Sequence, residues 1–153
     1  MKVKFVLIML VMLALVAGCS DELGSGKSYP ALDKGDAVVV YKIDKVIQNK
    51  LDIKSFMPGV FDNVELTLSY KDSKPFKLTL AETGAPFRIT SYNYADKLEF
   101  EWTINTLTTP YKIMNKETGE LFCYISRDYR ISFPFSLGCP SNTYEYQLIP
   151  VSE

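Results

Sequence analysis

Glu99 and Glu101 are the residues whose type and spacing come nearest to a catalytic pair. They alternate with Leu98, Phe100 and Trp102, so both carboxylates are predicted to project from one face of a β-strand, about 6.5–7 Å apart. Paired carboxylates can perform acid–base chemistry, as they do in glycosidases. The same alternation is typical of any solvent-facing strand. We therefore expect a solvated face here and rank a carboxylate-only hydrolase last.

The absence of histidine removes most other catalytic hypotheses. The chain contains none, whereas Ser-His-Asp and Cys-His nucleophile systems need a histidine base, and most catalytic zinc sites use a histidine ligand. Asp33, Asp36 and residues 62–65 lack the spacing of a calcium loop. No glycine-rich phosphate loop stands between a strand and a helix. We expect no catalytic residues, no metal and no cofactor.

Two tyrosine pairs are the candidate binding residues. Tyr92 and Tyr94 are two positions apart, and so are Tyr144 and Tyr146. Exposed aromatic side chains can stack on sugars or fill a pocket in a protein partner. The alternation around Tyr144 and Tyr146 also fits a buried strand face, so core positions are the competing interpretation. Trp102 lies in an apolar stripe and is expected in the core.

The amino-terminal residues have the layout of a secretory signal peptide. Lys2 and Lys4 form a short positive start, residues 5–16 are an apolar run, and the small residues 17–18 precede Cys19. The run is shorter than the roughly 20 residues that a membrane-spanning helix needs. We predict a helix over most of residues 5–15, removed from the mature protein with the rest of the signal.

The sequence Leu-Val-Ala-Gly-Cys at residues 15–19 resembles the lipobox of bacterial lipoprotein precursors. Val16 stands where that family more often has leucine. The resemblance implies cleavage after Gly18, a diacylglyceryl thioether on Cys19 and acylation of the new amino terminus by a chain such as palmitate. Several acyl chains anchor firmly, at about 0.8 kcal/mol per buried CH₂. Ser20 follows the cysteine, which by resemblance favours the outer membrane facing the periplasm and leaves the inner membrane and the cell surface as alternatives.

The mature chain divides into a tether and one domain. Removing residues 1–18 from the 153 leaves 135, enough for a single domain. Residues 19–36 are polar and aperiodic and are predicted to be a flexible tether with a span of about 20–25 Å; residues 37–153 form the domain. The signal holds two of the 17 basic residues and none of the 18 acidic ones, so the mature chain has 15 and 18, a net charge of −3. That balance argues against nucleic acid.

Cys123 and Cys139 remain in the exported domain. An even pair of cysteines in an oxidising compartment predicts a disulfide. The bridge would close a loop of about 16 residues, worth roughly 3 kcal/mol in the chain-entropy model. A turn near residues 127–128, with strands of matching length on each side, would bring the two cysteines together. We expect a structural bridge that pins the strand containing Pro134, where a lost N–H predicts an edge or a bulge.

Period-two alternation runs through most of the domain. It is regular at residues 64–70 and 76–80, and residues 115–119 form a strong hairpin signal with Gly119 in the left-handed position. We also predict a strand at residues 86–92 and either a helical turn or a loop near 52–56. The fold class is all-β, an antiparallel sandwich or small barrel of about eight to nine strands. The predicted core comprises Phe76, Leu78, Leu80, Leu98, Phe100, Trp102, Leu121, Ile125 and Leu148.

Three functions remain in contention. The first is a binding module, in which the β-domain of a lipid-anchored protein contacts another envelope protein. The second is a periplasmic inhibitor or immunity protein against an enzyme, for which the acidic balance suits a basic target. The third is the carboxylate-only hydrolase. The partners expected are the membrane, through the lipid on Cys19, and an envelope protein.

Overall fold

The alternating segments of the sequence form nine β-strands. The computed structural model describes residues 35–92 and 97–151, with the backbone alone at residues 91 and 92; the predicted signal helix and nearly all of the tether lie outside these ranges. The strands are β1 (Ala37–Gln48), β2 (Leu51–Asp52), β3 (Val64–Lys71), β4 (Lys74–Glu82), β5 (Lys97–Asn105), β6 (Tyr111–Asn115), β7 (Leu121–Ile125), β8 (Ile131–Phe135) and β9 (Tyr144–Pro150).

Eight of these strands close into an antiparallel barrel. Each strand from β3 to β8 pairs with the next in sequence, and β1 pairs with both β3 and β9. β1 can do this because it has 12 residues: residues 37–42 pair with β3 and residues 41–48 run along β9. The short β2 extends the sheet beside the last residues of β1. The predicted all-β small barrel is therefore confirmed.

The barrel has two distinct ends. We call the end where β1 begins the near end; the β3–β4 turn, the β5–β6 loop and the β7–β8 turn lie there. The far end carries the longer connections, which follow β1, β4 and β8. The chain thus passes from the predicted tether into the barrel at the near end. Among the described residues, no helix has the length and apolarity needed to cross a membrane.

The interior is packed with large side chains. Tyr41, Phe61, Trp102 and Tyr146 are fully buried. The Trp102 ring meets Tyr70 edge-on at a centroid distance of 5.3 Å, and its Nε1 donates to the carbonyl oxygen of Ser69 at 3.3 Å. An eight-stranded barrel is just wide enough for side chains to fill it, which accounts for the aromatic content of the inward-facing positions.

Three β-bulges interrupt the alternation, and two of them overturn burial predictions. In β4, Leu68 pairs with Leu78 but Tyr70 pairs with Pro75, so one extra residue of β4 turns Phe76 outward. Phe76 is 40% exposed and its ring lies under the Lys71 ammonium. The prediction that Phe76 is buried was wrong because the alternation of apolar and polar residues in the sequence does not reveal an inserted residue.

The second bulge lies in β7. Ile113 pairs with Cys123 while Met114 pairs with Leu121, which leaves Phe122 as the extra residue. Leu121 therefore follows Met114 to the outside and is 42% exposed, not buried as predicted. Leu98 and Phe100 are only partly buried. The other predicted core residues, Leu78, Leu80, Trp102, Ile125 and Leu148, are buried as expected.

The connections also differ in part from the predictions. Residues 86–92 do not form a strand; Ile89–Tyr92 is a single helical turn, because the Glu82 carboxylate accepts hydrogen bonds from the N–H groups of Ile89 and Thr90 and offers the backbone an alternative to a ladder. A 3-10 turn at Lys54–Phe56 matches the predicted helical turn.

The pairing of β7 with β8 is short for an identifiable reason. Only Tyr124 with Ser132 and Ile125 with Ile131 are paired. The Ser126 N–H donates to the Arg130 carbonyl. The backbone groups of every second residue of β8, counted from Arg130, therefore point towards β7: these are Arg130, Ser132 and then Pro134. Proline has no N–H to donate, and the β7–β8 ladder ends there. The predicted edge strand or bulge at Pro134 was wrong: β8 pairs with both neighbours, and Pro134 pairs with Glu145 in β9 without a shift of register.

Candidate binding groove

The Glu99–Glu101 pair is exposed and engaged by lysines. Glu99 is bound by Lys77 at 2.8 Å and Lys97 at 3.1 Å, and Glu101 by Lys116 at 2.6 Å. Hydrogen bonds from Lys77 and Lys97 lower the pKa of Glu99 to about 2, and the bond from Lys116 lowers the pKa of Glu101. A general acid needs a raised pKa, so this pair has the electrostatics of a surface ion-pair network.

Of the two tyrosine pairs, the structure describes the side chains of one, Tyr144 and Tyr146, and these lie in the core. Tyr144 is buried and Tyr146 is fully buried; the Tyr146 hydroxyl donates to the carbonyl oxygen of Phe87. Both rings face the barrel interior. Their burial fits the interpretation of Tyr144 and Tyr146 as core residues and does not fit the candidate binding role. Only the backbone of Tyr92 is described, and Tyr94 lies outside the described residues.

The predicted bridge between Cys123 and Cys139 is absent; both are free thiols. Cys139 lies further from Cys123 than predicted because the residues on the two sides of the turn do not pair one for one as far as Cys139. The β7–β8 register, continued by one residue, sets Cys123 opposite Phe133, which leaves Cys139 six residues further along in the loop after β8. Cys123 points into the interior beside Ile113, whereas a bridge needs Cα atoms about 4.4–6.8 Å apart.

The two thiols have opposite environments. Burial raises the pKa of Cys123. Cys139 is exposed, and its sulfur lies 3.0 Å from the Ser141 hydroxyl, whose hydrogen bond lowers the pKa of the thiol. Of these two described thiols, Cys139 is therefore the one placed to react.

A groove of about 530 Å³ lies on the outer wall towards the near end. It extends over β7, β8 and β9 to β1, between the β5–β6 loop and the β7–β8 turn. Its size falls within the range of ligand pockets. The lining residues are Asp44, Thr109, Pro110, Tyr124, Ser126, Arg127, Asp128, Arg130, Ile131, Ser132, Gln147 and Leu148.

A row of polar side chains crosses the groove. Tyr124 pairs with Ser132, and Ser132 pairs with Gln147, so these three outward side chains lie side by side on consecutive strands. One Glu145 carboxylate oxygen accepts from the Ser132 hydroxyl at 2.8 Å and from the Gln147 amide at 3.0 Å. The shared acceptor orients both side chains before any ligand arrives.

The third bulge supplies the acidic side of the groove. Ile43 pairs with Leu148 and Lys45 with Gln147, so Asp44 is the extra residue of β1 and turns outward. Its carboxylate meets Arg130 Nη1 at 3.4 Å. Bulges often redirect side chains beside functional sites. Here the bulged residue Asp44 contacts Arg130, at the end of the β7–β8 turn.

The β7–β8 turn forms the charged rim. Arg130 Nε lies 3.2 Å from Asp128, whose carboxylate also accepts a hydrogen bond from the Ser126 hydroxyl. The bond from Ser126, followed by the nearby Arg130, lowers the pKa of Asp128. Arg130 thus has two carboxylate partners, whereas Arg127 on the same turn forms no ion pair with any residue in the described ranges.

The sequence did not identify the groove residues. Two features of the sequence could have indicated loops at this site: Pro110 and the polar turn at residues 126–130. Asp44 gave no such indication, because it is a single charged residue within a β-branched strand. No group of three or more potential metal ligands lies together within residues 35–92 and 97–151. No protein-family model, no curated protein and no solved structure matches this chain.

Proposed function

We propose that this chain is a lipid-anchored envelope protein whose barrel binds another envelope protein. The lipobox-like segment supports the anchor, with the lipid on Cys19, and the outer membrane facing the periplasm is the proposed location. The mature chain, with a net charge of −3, lacks the basic character of nucleic-acid modules. The barrel is the part that recognises the partner.

The observation that carries the binding role is the groove on a barrel whose interior is filled. Trp102, Tyr41 and Tyr146 occupy the interior, so a concave surface for recognition must lie on the outer wall. The groove combines apolar lining, at Tyr124 and Pro110, with oriented polar groups, which is the usual make-up of a binding site.

The position of the groove supports a partner in the envelope. Its rim is formed by the β5–β6 loop and the β7–β8 turn, both at the end where the chain enters β1. A tether span of about 20–25 Å would keep this end near the bilayer surface. A protein held in or on the same membrane is therefore the partner that could reach it.

Site-specific photo-crosslinking in cells tests the proposal. A photoreactive amino acid at Ser132 samples the groove, one at Lys74 samples the opposite wall, and one at Phe56, which is 72% exposed, samples the far end. β4 is four strands from β8 in either direction around the barrel. We expect a discrete adduct with one envelope protein from position 132 and none from position 74.

The other outcomes have defined meanings. No adduct from position 132, or identical adducts from all three positions, would contradict binding through the groove. An adduct from position 56 alone would move the contact to the far end and also contradict it. An adduct with a hydrolase that the purified protein inhibits would replace the binding module by the alternative, a periplasmic inhibitor or immunity protein.

A further inference from the structure

We infer that the groove receives an extended segment of its protein partner in which an acidic side chain stands next to an aromatic one. This inference rests on the proposed binding function, because it specifies which partner surface the groove recognises. It follows from three features: an arginine that forms no ion pair with the described residues, an apolar floor beside it, and the polar row.

One of the two arginines on the rim has no ion-pair partner among the described residues. Asp44 and Asp128 both contact Arg130, so the positive charge of Arg130 is already matched. Arg127 is exposed, lines the same groove and has no carboxylate partner among the described residues. A guanidinium binds a carboxylate through two parallel hydrogen bonds, which makes a single acidic side chain the complementary group.

The two carboxylates on the rim also limit how much negative charge a ligand can carry. Asp44 and Asp128 flank the arginines, and like charges brought together in a partly desolvated groove repel one another. A phosphate cluster or a polyanion would meet this repulsion at each of its charges, whereas one carboxylate meets it once and gains the hydrogen bonds of Arg127. The groove therefore fits an isolated acidic side chain.

The floor next to Arg127 is apolar. Tyr124 is half-buried, Pro110 borders it, and Ile131 and Leu148 lie beneath. Aromatic rings stack well on tyrosine and proline surfaces, and such contacts dominate many protein interfaces. An aromatic residue adjacent to the acidic one would cover this floor while the carboxylate reaches Arg127.

The polar row favours an extended backbone. Tyr124, Ser132 and Gln147 lie in register across three strands, so hydrogen-bonding groups recur at the interstrand spacing of about 4.7–4.9 Å. Ser132 and Gln147 are held by Glu145, which reduces the ordering cost of binding. The three groups together span about 9–10 Å, which is the length of about three residues of extended chain, so a short extended segment can lie along the row.

A pair of end-blocked peptides tests the inference. Acetyl-Phe-Glu-Phe-amide and acetyl-Phe-Gln-Phe-amide, each with the same fluorophore, differ only in the charge of the central residue. Anisotropy is measured with the full-length protein purified from membranes in detergent. We expect the glutamate peptide to bind at least about tenfold more tightly, a difference of about 1.4 kcal/mol. The preference should vanish in Arg127→Ala and persist in Lys74→Ala.

Three results would overturn the inference. They are equal affinity for the two peptides, an unchanged preference in Arg127→Ala, and no binding of either peptide at millimolar concentration. The crosslinking experiment is independent of the peptides. A groove adduct without a glutamate preference would therefore refute this inference and leave the proposed function standing. The absence of a groove adduct would contradict the proposed function and, with it, this inference, whatever the peptides show.

Discussion

The carboxylate of Glu82 lies 2.8 Å from the backbone nitrogen of Thr90, with the Glu82 side chain wholly removed from solvent. It also accepts from the N–H of Ile89 at 3.2 Å. The Tyr146 hydroxyl donates to the carbonyl of Phe87 in the same segment. Burial, and then the charge of Glu82, raise the pKa of Tyr146. These bonds fasten the segment that follows β4 to the far end of the barrel.

Replacing Glu82 should therefore destabilise the protein. Glu82→Ala leaves two N–H groups without acceptors, and each buried unsatisfied donor costs about 1–3 kcal/mol. We expect a lower free energy of unfolding in urea. Glu117→Ala, at an exposed position, is the matched control and should change the value by no more than about 0.5 kcal/mol. Equal stability of the two variants would show that the carboxylate does not fasten the segment.

The two cysteines should differ sharply in reactivity. The thiolate is the reactive form, so the exposed Cys139, with its lowered pKa, should be alkylated by iodoacetamide in the folded protein. The buried Cys123, with its raised pKa, should react only after unfolding. Peptide mapping by mass spectrometry measures both. Recovery of a peptide in which Cys123 is linked to Cys139 under non-reducing conditions would contradict this prediction.

Trp102 should be a major contributor to stability. Its ring is almost fully buried against Tyr70, so Trp102→Ala should lower the free energy of unfolding by about 3–5 kcal/mol. Leu107→Ala provides the comparison because that side chain is 89% exposed. Circular dichroism should be the probe, since Trp102 is the single tryptophan of the chain. Wild-type stability in Trp102→Ala would mean that the ring is not in the core.

The lysine contacts of Glu99 predict a defined pH dependence. Its pKa is lowered from 4.5 to about 2, so the contribution of the ionised group to stability is fully present above pH 4.5 and is lost as the pH falls through 2. The difference in melting temperature between wild type and Glu99→Gln should be constant above pH 5 and shrink between pH 4.5 and 2. The effect should weaken in 1 M salt because the pairs are exposed. A difference that is as large at pH 2 as at pH 7 would rule this out.

The proposed anchor makes a chemical prediction about the amino terminus. Protein extracted from membranes should begin at Cys19, and its first peptide should carry the mass of a diacylglyceryl group and an amide-linked acyl chain. Cys19→Ser should remain unprocessed because the thiol that accepts the lipid is missing. Mass spectrometry of the first peptide decides the matter: an unmodified Cys19, or a retained Met1, would refute lipidation.

Local alternation predicted most of the strands and part of the core. Leu78, Leu80 and Leu148 are buried as expected because a strand with one buried face must place every second residue inside. Such a pattern depends only on neighbours in sequence, so it can be read without knowing which strand pairs with which. The choice between a sandwich and a barrel could not be read in this way, since it depends on whether Tyr41 meets Pro150 across more than 100 residues.

The groove and the state of the cysteines depended on the tertiary structure. One inserted residue in each of β4 and β7 moved Phe76 and Leu121 to the outer face, and the inserted residue of β1, Asp44, lines the groove. The register of β8 separated Cys123 from Cys139. The sequence by itself determined an all-β chain with a lipobox-like start and no histidine. Only the folded barrel decided which side chains share its outer wall, because register and bulges are set by hydrogen bonds between strands, and these partners are distant in the sequence.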